Sequence, residues 1–197
     1  MATFRTSQPV STADPSRPHI ILVGLPGSGK TTVGHMLAKR LGRSFLDFDH
    51  EIVRREGMTV AEIFATKGEH HFRALERSLT GELREIGNMV LSPGGGWVSD
   101  PANIAVLRPP AIIVYLKSTP AMALRRMGSK VAGRPLLMRP NPLGELETML
   151  ASRRAAYESA DLVLDVERLD SQRVTSILAD RLASLGPGIS PPGGAGG

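Results

Sequence analysis

A three-layer α/β fold, with a five-stranded parallel sheet flanked by helices, is predicted by two features of the chain taken together. Short β-branched runs alternate with amphipathic stretches across residues 19–185, the pattern of a parallel sheet wrapped by its crossover helices. Directly after the first such run comes Gly24-Leu25-Pro26-Gly27-Ser28-Gly29-Lys30-Thr31. This matches G-x-x-x-x-G-K-[ST] in the strand, loop and helix context the motif requires. A chain of 197 residues suits one domain with a sizeable core.

The strands are expected at His19 to Val23, Ser44 to Phe48, Met89 to Ser92, Ala111 to Leu116 and Leu162 to Val166. Three helix starts carry their own chemistry. Thr59 and Glu62 have capping-box spacing, and Asp100 before Pro101 and Thr119 before Pro120 place a cap ahead of a first-turn proline. Gly42, Gly57 and Gly68 follow apolar periodic segments and can take the left-handed conformation that stops a helix. Residues 1–18, rich in Ser, Thr and Pro, and residues 186–197, nearly all Gly, Pro and Ser, read as disordered ends. Between Met127 and Pro142 the periodicity dissolves into Gly, Ser, Lys, Arg and Pro, and so long an irregular cationic stretch predicts a functional loop.

Composition excludes several classes. No cysteine occurs, so disulfides, thiolate metal sites and a cysteine nucleophile are ruled out. The apolar runs fall far short of the roughly 20 residues that span a bilayer, and the amino terminus lacks a signal-peptide core. No membrane partner and a cytoplasmic location are therefore expected. The formal charge of +5 comes mostly from dispersed arginines without an aromatic-basic run. That favours a solvated basic surface first and small anionic substrates second, over nucleic acid. A monomer is expected.

The motif predicts binding of ATP and Mg2+. Its glycines turn backbone N–H groups toward phosphate oxygens, and the following helix adds its positive end. Gly27, Ser28, Gly29, Lys30, Thr31 and Thr32 form the expected nucleotide set, with Lys30 on the β- and γ-phosphates and the Thr31 hydroxyl on magnesium. The third strand ends at Ser92, where an acid often assists the metal. Asp47 and Asp49, two apart at the end of the second strand, share a face at the carboxyl edge of the sheet, where such folds bind ligands. One can serve magnesium through water and the other a substrate hydroxyl; a solvated pair, or a helix cap with Asp49 ahead of Glu51 to Arg55, is the plainer alternative.

Arg73 and Glu76, three apart on a helix, can pair, and on their own suggest a solvated face. Gly94-Gly95-Gly96 follows the third strand and lets a ligand approach the backbone. Arg134 in the irregular segment can be carried onto a transferring phosphoryl group by a moving lid. Arg125 and Arg126 close a helix. Arg153 and Tyr157 lie four apart on a later helix, where a packed, partly paired arginine is the plainer alternative to a binding role. The adjacent His70 and His71 point apart on a helix and make a poor metal pair.

Taken in order, the phosphate loop, L-D-F-D (Leu46 to Asp49), I-F-A-T-K-G-E-H-H-F-R-A-L-E (Ile63 to Glu76), G-G-G (Gly94 to Gly96), R-P-L-L (Arg134 to Leu137) and R-R-A-A-Y (Arg153 to Tyr157) resemble the shikimate kinase family. The resemblance runs from His19 to about Leu182. It implies a P-loop fold like that of nucleoside monophosphate kinases, with a substrate-binding helical region at about 49–77 and a lid at about 127–142. It implies transfer of the γ-phosphoryl of ATP to the 3-hydroxyl of shikimate. It further implies that Asp47 holds Mg2+ through water and that Asp49 binds substrate hydroxyls and takes the acceptor proton. Arg73 and Arg153 would bind the carboxylate, Gly94, Gly95 and Gly96 close the pocket, Arg134 contact the phosphates and Arg126 lie near the nucleotide. Lys30, Asp49 and Arg134 are thus the expected catalytic set. Trp97, where a small residue is expected, predicts either a reshaped acceptor pocket or an ordinary packed indole. A kinase for another polyhydroxylated acid such as gluconate, and a non-catalytic kinase-fold ligand sensor, are the competing readings.

Overall fold

A computed structural model describes residues 17–128 and 140–186. The expected disordered ends lie almost wholly outside the described residues, as does most of the irregular segment, including Arg134.

Five parallel strands form one sheet in the order β2-β3-β1-β4-β5. They are β1 (Ile20–Val23), β2 (Ser44–Asp47), β3 (Met89–Ser92), β4 (Ile112–Lys117) and β5 (Leu162–Asp165). All five expected strands are present, with bounds within a residue. Because β1 lies between β3 and β4, the order reverses at its carboxyl end, the place where open α/β sheets bind ligands.

The helices follow from their caps. α1 (Lys30–Leu41) ends on Gly42 at φ 63° and α2 (Phe48–Glu56) on Gly57 at φ 67°. α3 (Val60–Leu83) opens with the full Thr59–Glu62 capping box. Asp100 and Thr119 cap α4 (Pro101–Leu107) and α5 (Pro120–Met127), each with proline in the first turn. α6 (Pro142–Glu158) and α7 (Ser171–Ala183) complete the set among the described residues. Gly68, at φ 80° and ψ 166°, breaks α3 as expected, but the chain resumes its helix at once, leaving a kink.

Strand alternation divides the core in two. Ile21 and Val23 pack with Phe48, Phe72, Trp97 and Tyr157 on one face. Ile20 and Leu22 pack with Leu37 of α1 and Leu178 of α7 on the other. No described helix is long and apolar enough to cross a membrane.

His19, buried just before β1, fastens the sheet to α3. Its Nδ1 accepts from the Met89 N–H at 3.2 Å, so Nε2 carries the proton and donates to the Leu83 carbonyl at 2.9 Å. Burial lowers its pKa below the usual 6.5, and Arg43 adds to the fall against the two backbone contacts. A depressed folded pKa means that the unfolded chain binds the proton first. The stabilisation is therefore complete above pH 6.5 and is lost as pH falls through the folded value. Thermal melting between pH 8 and pH 5 is expected to fall more steeply for wild type than for His19→Gln; parallel curves would remove the imidazole from the account.

Candidate active site

The phosphate loop links β1 to α1 and is shaped by its glycines. Gly27 and Gly29 hold φ of 83° and 98°. A Cβ on Gly27 would lie 2.2 Å from the Ala123 carbonyl oxygen of α5, a backbone atom that cannot yield. The first turn of α1 carries no acidic residue, so the positive end of the helix faces the loop unneutralised by its own side chains. Ser28 is buried with its hydroxyl unpartnered, and Lys30 Nζ donates to the carbonyls of Gly24 and Leu25 at 2.9 and 3.0 Å. A concave loop with a buried hydroxyl and an ammonium drawn over it is a cradle for phosphate oxygens.

β2 delivers the carboxylates, though not as strand alternation predicts. The strand ends at Asp47, and Phe48 already begins α2. Asp47 is the helix cap: its Oδ1 accepts from the His50 N–H at 3.3 Å, a role the sequence reading offered to Asp49. Its Oδ2 accepts from Thr31 Oγ1 at 2.7 Å. Asp47 also stands in register with Ser92, the strand end that lacks an acid. Asp49 follows in the first turn of α2. The strand-to-helix turn, rather than a shared strand face, brings both carboxylates to one cleft of about 480 Å3, lined also by the phosphate loop, Gly94 and Gly95.

The glycine triplet is where the remaining groups meet. A Cβ on Gly94 would lie 2.6 Å from Glu76 Oε1 and 3.2 Å from Asp49 Oδ1, one on Gly95 3.0 Å from Arg153 Nη1, and one on Gly96 2.5 Å from Arg73 Nη2. Any side chain here would displace a charged group. Arg73 and Arg153 do not line the cleft itself; they stand against the triplet.

Glu76 is the residue that sequence reasoning missed. Arg73 Nη1 donates to its Oε2 at 2.5 Å, and Arg73 Nη2 to Glu69 at 2.8 Å. The pair is no solvated face, because the Glu76 side chain is 0% exposed and Arg73 only 22%. Burial raises the Glu76 pKa, Arg73 opposes the rise, Asp49 adds to it and Arg153 opposes it. Its Oε1 lacks a hydrogen-bond partner. The available signal was the apolar i−4 and i+3 neighbours Phe72 and Leu79, both buried, which turn this side of α3 inward.

Trp97 resolves as a packed indole. It is 0% exposed, donates from Nε1 to Thr80 Oγ1 at 2.8 Å, and meets the Phe48 ring edge-on at 6.4 Å. It is not among the residues that line the cleft. Arg126 lines the cleft and donates from Nη2 to the carbonyls of Val166, Glu167 and Leu169, which ties α5 to the loop before α7. His71 Nε2 lies 3.5 Å from Glu56, and among the described residues no group of three or more His, Asp or Glu side chains could hold a metal.

With this geometry in place, the family model described as shikimate kinase matches residues 26–183. The chain belongs to the shikimate kinase family. The shikimate kinase of Thiobacillus denitrificans is 40% identical over 170 residues, 86% of this chain and 92% of that protein. That of Aromatoleum aromaticum is 44% identical over 147 residues, 74% of this chain and 83% of its own. The shikimate kinase of Acinetobacter baumannii, solved in complex with shikimate, is similar at a TM-score of 0.81 and 36% identity, over 87% of this chain and 96% of that one. A gluconokinase from Sinorhizobium meliloti matches at a TM-score of 0.55 and 16% identity, which shows the shared fold alone. In this member of the shikimate kinase family the phosphate loop lies at the sheet's switch point and the charged groups gather on three glycines.

Proposed function

We propose that the protein transfers the γ-phosphoryl group of ATP to the 3-hydroxyl of shikimate, giving 3-phosphoshikimate. The observation that carries this reading, beyond family membership, is the convergence of Arg73, Arg153 and Asp49 on Gly94 to Gly96 beside a phosphate loop. Two guanidiniums offer paired donors to one carboxylate and so fix which hydroxyl of a polyhydroxylated acid faces the nucleotide.

In this reading Gly27, Ser28, Gly29, Lys30, Thr31 and Thr32 hold the phosphates, and Arg126 borders the nucleotide. Asp49 accepts hydrogen bonds from the acceptor hydroxyl. As the acceptor oxygen bonds to the γ-phosphorus and the bridge to the β-phosphate breaks, Asp49 takes the released proton. Little basicity is needed, because the proton leaves late in a loose transition state. Thr31 and Asp47, with oxygens 2.7 Å apart, are hard ligands suited to Mg2+, which keeps waters and substrate oxygens rather than an all-protein cage. When bound, the ion would neutralise charge developing on the phosphates. The substrate-binding region at about 49–77 and the lid at about 127–142, carrying Arg134, complete the proposed machinery. The proposed acting form is a monomer.

A coupled assay of ADP release with ATP and MgCl2 tests the reading. Turnover is expected with shikimate and not with gluconate. Tight ATP binding without shikimate-dependent ADP release would sink it and favour a ligand sensor.

A further inference from the structure

Tyr157 stands one helical turn after Arg153 on α6, and its side chain is fully buried. Its hydroxyl donates to the Gly95 carbonyl at 3.2 Å, across 62 residues of sequence. A phenol has one proton to give, so toward Arg153, one helical turn back on α6, it can offer only lone pairs. Burial raises the Tyr157 pKa above its usual 10, so the proton stays in place at working pH. The ring stacks on Tyr115 with centroids 4.9 Å apart and planes at 14°. Tyr115 in turn pairs in register with Val23, the residue before the phosphate loop.

Gly95 itself lies between the two halves of the site. The same Cβ position that would meet Arg153 Nη1 at 3.0 Å lies 3.6 Å from Pro26 Cδ of the phosphate loop. One buried phenol therefore holds the glycine that spaces donor from acceptor, the same glycine against which the arginine assigned to the acceptor carboxylate stands. Its ring rests on the strand that flanks the donor loop.

We propose that Tyr157 is a positioning residue for phosphoryl transfer: its hydroxyl holds Arg153 and Gly95 in fixed relation to the phosphate loop, and so sets the depth at which the acceptor is held. This rests on the reading of Arg153 as a carboxylate ligand. Deleting the hydroxyl alone leaves the ring, its burial and its stack on Tyr115.

Tyr157→Phe, assayed in the full chain with shikimate, is expected to raise the shikimate KM about fivefold, as for loss of one neutral positioning hydrogen bond. It should lower kcat by about threefold through misalignment and leave the KM for ATP unchanged. In an Arg153→Lys background the same substitution should have about half the effect on a logarithmic scale, or less, because the two residues act together. Shikimate turnover by wild type with an unchanged KM in Tyr157→Phe overturns the inference alone. So does full additivity with Arg153→Lys, or a fall in melting temperature with the KM intact. Absence of wild-type turnover overturns the functional reading and the inference with it.

Discussion

Lys30→Met is expected to reduce kcat by at least 100- to 1,000-fold, about 3–4 kcal/mol of transition-state stabilisation, while leaving the fold intact. Lys30 opens α1, and its ammonium hydrogen-bonds to the carbonyls of Gly24 and Leu25 over the loop's own concavity. In the proposed reading that charge stands where the transferring group would gather negative charge, so little reorganisation would be left for the reaction itself. A methionine fills similar volume without the charge. Nucleotide binding should weaken less than kcat falls, because backbone N–H groups and the helix terminus still hold the phosphates. Coupled ADP release at saturating ATP and shikimate, with nucleotide affinity by calorimetry and melting by circular dichroism, separates these effects. A kcat within threefold of wild type would contradict the assignment of Lys30 to the transition state.

The elements of this fold were legible because their signals are local. A strand four residues long between two turns, a capping box at Thr59 and prolines at first helical positions each act through neighbours in sequence. The boundary after β2 was not legible, because Phe48 suits a strand by propensity and only the Asp47 cap turns it into a helix start. The fate of Trp97 depended on Thr80, 17 residues away, whose hydroxyl accepts its N–H. Glu76 was misread for the same reason. A carboxylate three residues after an arginine looks like a surface pair until the triplet, 18 residues on, closes over it at Gly94. Charge inside a core is a tertiary fact, and spacing alone assigns it to solvent by default.

Arg73→Met is expected to do two kinds of damage that a second substitution can pull apart. Glu76 is wholly buried and takes its shortest contact from Arg73. Removing the guanidinium leaves a buried carboxylate without that partner, a loss of about 3–5 kcal/mol at neutral pH. Burial already raises the Glu76 pKa and Arg73 resists the rise, so the variant's folded value climbs further above the unfolded one. With a raised carboxyl pKa the folded state binds the proton first. The damage is therefore full above the folded pKa and fades as pH falls through it toward the unfolded value. Melting of Arg73→Met should recover on mild acidification, opposite in sign to the loss expected at His19. In Arg73→Met with Glu76→Gln the buried charge is gone, and neutral-pH stability should return most of the way. Acceptor binding should not return, because the proposed partner of the acceptor carboxylate is still missing. The double variant should melt near wild type yet bind shikimate about 2–4 kcal/mol more weakly, with Glu76→Gln alone as control and ATP affinity unchanged. A double variant with wild-type shikimate affinity would make Arg73 a partner for Glu76 and nothing more. If instead the single variant melts like wild type at neutral pH, Glu76 is already protonated, and the short contact at 2.5 Å joins a cation to a neutral acid.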